Sequence, residues 1–447
     1  MWERLRSIWT IPDLRNKILF TLGMLLLFRV LAHITVPLTA TEQTALVGLF
    51  KNGNSNGGLG QLLGLLDVFS GGSLQTFSIV ALGVYPYITA TIVMQLLQPI
   101  IPALQNMMTE GESGRLKFSQ ITRIIAVPLA FLQAIGQCAI FQQAGVLQNF
   151  SLVDPQYALN TYSILFALTA GTMILVWLGE LITENGIGNG ISLIIFAGIV
   201  TRLPQFVSQG YTSSTTGGSS ASGVVSIIVF LAIGLVTILG IVYIYQGQRR
   251  VPVQYPTKRN VGRGMMVGSA QTTYIPMQVN SAGMIPLIFA QSMLIFPAVL
   301  SRYLAASNTT WLKNAAGWVG TYLVNPSLWW YWLIFFLLVV LFTYFYAYVM
   351  WQQQNIPETL QKQGAFIPGY RPGEPTSRYL TAILNRITLG GALFLGIIAV
   401  LPFFARIGAN NQLLSSASVL IVVGVVLDTV RQLEAQMVMR NYSGFLS

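Results

Sequence analysis

The chain is poor in charge. Only 8% of its 447 residues are Asp, Glu, Lys or Arg, against 53% hydrophobic ones. A water-soluble domain carries about a quarter charged residues. That shortfall excludes an ordinary soluble fold and identifies a polytopic helical membrane protein. Cysteine occurs once, as Cys138, so no intramolecular disulfide can form and no thiolate cluster exists for zinc or iron–sulfur chemistry. Cys138 lies in an apolar segment and reads as a small packing residue. Histidine also occurs once. His33 follows Arg29 by one helical turn in the first span, with no carboxylate there to complete a proton relay, so it reads as a packing or helix-end residue. Carboxylates number 13, mostly in loops; Asp67, Glu180 and Asp428 come nearest the membrane. An ion-coupled transporter needs ionisable groups near the midplane, and they are nearly lacking. No Walker A pattern, HExxH or nucleophile elbow occurs. GIGNGI, from Gly186 to Ile191, lacks the third glycine of a dinucleotide fingerprint, and no strand precedes it. No cofactor and no metal site are expected, and no bond chemistry.

What the chain has is apolar length. Ten segments are long enough to span, at about 18–37, 77–99, 121–143, 161–183, 189–207, 223–245, 281–301, 327–351, 387–405 and 416–434. The first shows no small-residue cleavage site and is longer than a signal peptide, so it reads as a retained span. Basic residues then set the orientation. Those at 4–17, 115–123, 249–263, 362–386 and 431–440 fall on one side; Lys51, Arg202, Arg302, Lys313 and Arg406 fall on the other, and Arg29 lies within a span. This alternation puts both termini in the cytoplasm.

The segment QGYTSSTTGGSSASG divides the ten spans into two groups of five. Its composition is that of a flexible linker, giving halves at 1–208 and 223–447 joined by 209–222. Five is odd, so the halves enter the membrane in opposite orientations, the arithmetic of an inverted repeat with a pathway between its members. Two cytoplasmic loops, at about 246–280 and 352–386, are long, basic and punctuated by Pro and Gly, suited to projecting hairpins. A further oddity precedes the second span. The apolar run Gln61–Phe69 would be a helix only about 14 Å long, against a bilayer core of about 30 Å. Ser70-Gly71-Gly72-Ser73 then breaks it.

Four stretches, in order, carry a resemblance: FSGGSLQTFSIVALGVYPYITATIVMQLL, EGESGRLKFSQITR, GELITENGIGNGISLIIFAGIV and GAFIPGYRPGEPTSRYL. Together they resemble the SecY family of protein-translocation channels over nearly the whole chain. The resemblance implies an all-α clamshell of two pseudo-symmetric, inverted five-helix halves around an hourglass pore. Such a channel passes unfolded secretory chains across the plasma membrane of a bacterium and releases membrane-protein segments sideways into lipid. It implies that the half-helix is a plug at about 61–72, including Leu65, Leu66, Asp67, Val68, Phe69, Ser70, Gly71 and Gly72, with the glycines as hinge; read alone, they are a tight turn.

The resemblance also implies a pore ring of Val84, Ile88, Ile191, Ile195, Ile288 and Ile421. Aliphatic side chains at a waist resist wetting and grip no peptide group. Val84 departs from the isoleucine common at its position and is expected to loosen the seal slightly. The implied lateral gate is Thr89, Gln133 and Asn280, whose weak interhelical hydrogen bonds can part. Arg249, Arg250 and Arg371 are the implied docking residues for the ribosome, through its phosphate-rich RNA, and for the SecA motor ATPase. Other implied partners are SecE-like and SecG-like subunits, signal peptides, nascent polypeptides and membrane lipid. The rival readings are a secondary transporter with inverted repeats, and an insertion scaffold without a pore.

Overall fold

A computed structural model describes residues 11–52, 67, 70–147, 150, 154–215, 234–261, 265–280, 283, 285–305, 310–323, 328–354, 356–408 and 416–443. Among the described residues, seven helices lie in the first part of the chain: α1 (Pro12–Leu31), α2 (Ala40–Asn52), α3 (Tyr85–Leu97), α4 (Pro102–Thr109), α5 (Glu112–Gln143), α6 (Pro155–Asn185) and α7 (Gly190–Thr215). After them come α8 (Gly234–Gln246) and an antiparallel pair, β1 (Gln248–Val261) and β2 (Met265–Gln278). Next are α9 (Ile285–Ala305), α10 (Thr310–Trp318) with a π-helical turn at Val319–Leu323, α11 (Trp329–Gln354), α12 (Ile356–Lys362), α13 (Glu374–Gly408) and α14 (Ser416–Ser443). Pro12, Pro102 and Pro155 each open a helix, where proline's fixed φ suits the turn and its missing N–H costs nothing.

Each of the ten apolar segments contains one helix: α1, α3, α5, α6, α7, α8, α9, α11, α13 and α14. Among the described residues, α5, α6, α11 and α13 carry stretches long and apolar enough to cross a membrane. The protein is a polytopic helical membrane protein. Its outer faces agree: Leu22, Leu26 and Val30 on α1 and Leu235 and Leu239 on α8 are all exposed, as expected where the solvent is lipid. Exposed Trp311, Trp318, Trp329 and Trp330 gather around the loop between α9 and α11, the position of an interfacial aromatic belt.

Four local features depart from the sequence reading. First, α1 stops at Leu31 rather than 37, because residues 34–36 pair with 77–79 through Val36 N–Phe77 O and Ile79 N–Ile34 O, both 3.0 Å. Second, the second apolar segment is helical only from Tyr85; residues 70–84 are turns. Phe77 and Gly83 have φ of 45° and 60°, which a right-handed helix cannot hold. Third, α7 runs seven residues into the expected linker, to Thr215, while 216–222 lie outside the described residues. Once an apolar helix is nucleated, extending it through polar residues costs only their modest propensity deficits. Fourth, the hairpin expected of the first long loop is a pair of antiparallel β-strands, so the all-α expectation needs that amendment.

The two long loops form one body. Val251 and Val253, alternate residues of β1, point to the same side and pack with Met277, Leu360, Ile367, Leu380 and Ile383. Gln254 and Phe366 exchange backbone hydrogen bonds of 2.9 and 3.0 Å. Inside the bundle, α9 packs on α3, α5 and α11; α14 packs on α7 and α13; α6 packs on α1, α5 and α7. The α6–α7 crossing is tight because a Cβ on Gly190 would strike the Gly179 carbonyl. That close approach is the work of the GIGNGI turn. Cys138 is fully buried in a second apolar cluster beside the edge-to-face pair Phe77–Phe141, centroids 5.1 Å apart, consistent with a packing residue.

Candidate functional site: an aliphatic cluster where helices meet

Val84 caps the start of α3 and Ile88 lies one turn on; Ile191 and Ile195 repeat that spacing on α7; Ile288 is on α9 and Ile421 on α14. All six belong to one apolar cluster, with Ile191 partly buried and the others at 9% exposure or less. Val84, Ile88, Ile195 and Ile288 line a single gap with Tyr85, Gln291 and Ser292. The gap measures about 10 Å³, at the lower limit of what one water molecule occupies. Residues far apart in sequence thus close on one another where α3, α7 and α9 meet.

Of the expected plug, Leu65, Leu66, Val68 and Phe69 lie outside the described residues. Asp67 is buried and ion-paired with the Arg202 guanidinium of α7. Arg202, which the charge pattern assigns to the outer side, is only 6% exposed and turned toward this partner. The Asp67 carbonyl accepts from Gly72 N at 2.9 Å, and Arg29 of α1 donates to the Gly71 carbonyl at 3.0 Å. Gly71 and Gly72 have φ of 67° and 89°. A Cβ on Gly71 would lie 2.7 Å from Gly198 Cα, and one on Gly72 would lie 2.9 Å from Arg202 Nε. Glycine is therefore needed twice over, for the turn and for direct packing on α7. Arg29, His33, Gln75, Thr201 and Arg202 border a cavity of about 120 Å³ beside this turn. His33 sits just past the end of α1, its Nδ1 2.8 Å from the Arg29 carbonyl, a helix-end role.

The expected gate residues are only partly brought together. Gln133 Nε2 on α5 lies 3.4 Å from Thr89 Oγ1 on α3. Asn280 does not join them; it donates locally to the Gly283 carbonyl at 3.0 Å. The seam holds one feature that spacing did not reveal. The Tyr85 hydroxyl donates to the Ser292 backbone carbonyl at 2.7 Å, linking α3 to α9 across 207 residues of sequence. A tyrosine beside a ring position was the available signal. Near the C-terminal end of α6, Glu180 pairs with Arg123, Nε to Oε1 3.1 Å. Arg249 and Arg250 on β1 and Arg371 before α13 are exposed on the body formed by the two loops.

Comparison with known proteins now bears on this geometry. The SecY family model matches residues 78–430. The protein translocase subunit SecY of Mycobacterium bovis is 43% identical over 446 residues, covering 97% of each chain. That of Thermotoga maritima is 39% identical over 449 residues, covering all of this chain and 98% of its own. In fold, the chain resembles a solved protein-conducting channel, with a TM-score of 0.62 at 18% identity over 95% of this chain and 93% of that one. It also resembles canine Sec61 from a ribosome–channel complex, with a TM-score of 0.59 at 18% identity over the same shares. The chain belongs to the SecY family.

Proposed function

We infer that this chain is the protein-conducting subunit of a bacterial inner-membrane translocase. It passes unfolded secretory polypeptides across the membrane and releases apolar segments laterally into lipid. One observation carries the reading: aliphatic residues of α3, α7 and α9 close around a gap of about 10 Å³. A waist of this kind excludes ions by staying dry. It offers an extended polypeptide no strong partner, so the chain can slide. The full architecture is the ten-span clamshell of two inverted halves, with both termini cytoplasmic. Residues 61–72 are the plug, seated by Asp67, Gly71 and Gly72 against α7 and α1. The channel is passive; SecA or the ribosome supplies the driving force and docks on the body bearing Arg249, Arg250 and Arg371. SecE-like and SecG-like subunits complete the assembly.

The test is capture of a passing chain. Cys138 is replaced by alanine, and a cysteine is placed at Ile191, at Ile288 or, as a lipid-facing control, at Leu239, which is 61% exposed. A secretory chain carrying one cysteine is stalled in transit. Disulfide capture at the first two sites and none at Leu239 is expected. Capture at Leu239 alone removes the pore, and coupled uptake of a small solute instead identifies a transporter.

A further inference from the structure

We propose that the Tyr85 hydroxyl is a positioning residue that sets how apolar a signal segment must be to part α3 from α9. The proposal rests on the channel reading above and adds a determinant of substrate selection to it.

Tyr85 begins α3, between the ring residue Val84 and the seam residue Thr89. Its hydroxyl reaches the Ser292 carbonyl of α9 at 2.7 Å. The acceptor is main chain. A carbonyl oxygen has two lone pairs, so it can take this bond without giving up its helical one. Pro297 lies inside α9; it removes the donor that the neighbouring Met293 carbonyl would use, leaving this turn rich in acceptor capacity. Gln291 Oε1 and Ser292 Oγ are buried without a hydrogen-bond partner among the described residues. The edge of the waist facing α9 is thus polar and under-satisfied, and Tyr85 is the group that bridges it. An apolar helix entering between α3 and α9 must first displace this bond, in surroundings that offer the freed hydroxyl little water. The bond therefore acts as a fixed cost, which a strongly apolar signal outweighs and a weakly apolar one does not.

Tyr85→Phe removes the hydroxyl and keeps the ring. Tyr85→Met removes it with a flexible side chain of similar reach. Tyr87→Phe is the control on the same helix, since Tyr87 lies in the field of Arg123 and Glu180 of α5 and α6 rather than of α9. Each variant replaces the resident channel subunit in cells. Export is then measured for one reporter carrying signal segments graded from leucine-rich to alanine-rich, with variant abundance in the membrane recorded alongside. Loss of Tyr85 hydroxyl should raise export of the weakest signals by roughly three- to tenfold, the range spanned by interhelical hydrogen bonds in bilayers. Export of the strongest signal should change less than that of the weakest, so that the weak-to-strong ratio rises, and Tyr87→Phe should match the parent. A purely structural role would lower strong and weak signals together. An unchanged weak-to-strong ratio in both Tyr85 variants, or an equal shift in Tyr87→Phe, overturns the proposal. If the parent chain exports no reporter at all, the channel reading itself fails, and this assignment with it.

Discussion

Asp67 brings a carboxylate into an apolar bundle, and Arg202 meets it there with both side chains under 10% exposed. Removing one partner of a buried pair strands the other charge, at a cost of about 3–5 kcal/mol, while removing both is nearly neutral. Arg202→Gln should therefore unseat the turn at Gly71-Gly72 and raise ion conductance of the reconstituted channel. Asp67→Asn combined with Arg202→Gln should bring conductance back toward the parent. A double variant leakier than the single one would mean that the pair does not hold the turn. None of this was legible in the sequence, where Arg202 counted as one more external charge: a positive residue at the end of a span looks the same whether it faces water or a carboxylate 135 positions away. The waist was legible only through family resemblance, because Ile195 and Ile288 on membrane helices are indistinguishable by type from lipid-facing residues. The opposite holds for Gly71 and Gly72, whose pairing marks a turn in any context; the structure adds what they press against.

At the scale of elements, apolar length told most. Ten segments were found from hydropathy and each holds a helix, because spanning a bilayer imposes a length that few soluble elements share. Their ends were less legible. Residues 77–84 are apolar enough to belong to the span that follows, yet they fold as turns, with 77–79 pairing with residues 34–36. Long-range pairing of that kind leaves no periodic trace. The hairpin form of the first long loop was legible from its length and its Pro and Gly, but the extent of its strands was not, since QRRVPVQYPTKRNV alternates only over its first half. Its inward residues meet Leu360 of α12, which is 4% exposed. Truncating such a buried leucine costs about 2–5 kcal/mol. Leu360→Ala should loosen β1 from α12 and α13, seen as faster amide exchange at Val251 and Val253 with the spans unchanged. The same substitution should weaken binding of ribosomes without altering its salt dependence. Replacing Arg249, Arg250 and Arg371 by glutamine should instead flatten the log–log salt slope by roughly 2–3, as expected when three phosphate contacts are lost. Equal slopes in both variants would assign these arginines to topology alone.

At the scale of the whole molecule, among the described residues, the main contacts between the first and second parts of the chain follow two lines. One is α9 against α3 and α5; the other is α14 against α7. The apolar cluster that holds the six residues proposed as the pore ring draws on helices of both contacts. On the proposed reading, a chain that crosses the membrane passes inside these contacts, and one that leaves sideways parts the first. An entering signal helix is about 10–12 Å across with its side chains. That width sets a ruler for opening. With Cys138→Ala as background, Tyr85→Cys and Ser292→Cys place two thiols on facing turns of α3 and α9, spanned in the parent by a full tyrosine side chain. A thiol-reactive spacer shorter than one helix diameter should clamp the seam and stop both export and lateral release. A flexible spacer several times longer should leave both close to the rate of the uncoupled protein. Cleavage of a reducible short spacer should restore activity, which separates clamping from damage. If the short spacer leaves lateral release at the uncoupled rate, α3 and α9 do not part, and segments reach lipid by some other face of the bundle.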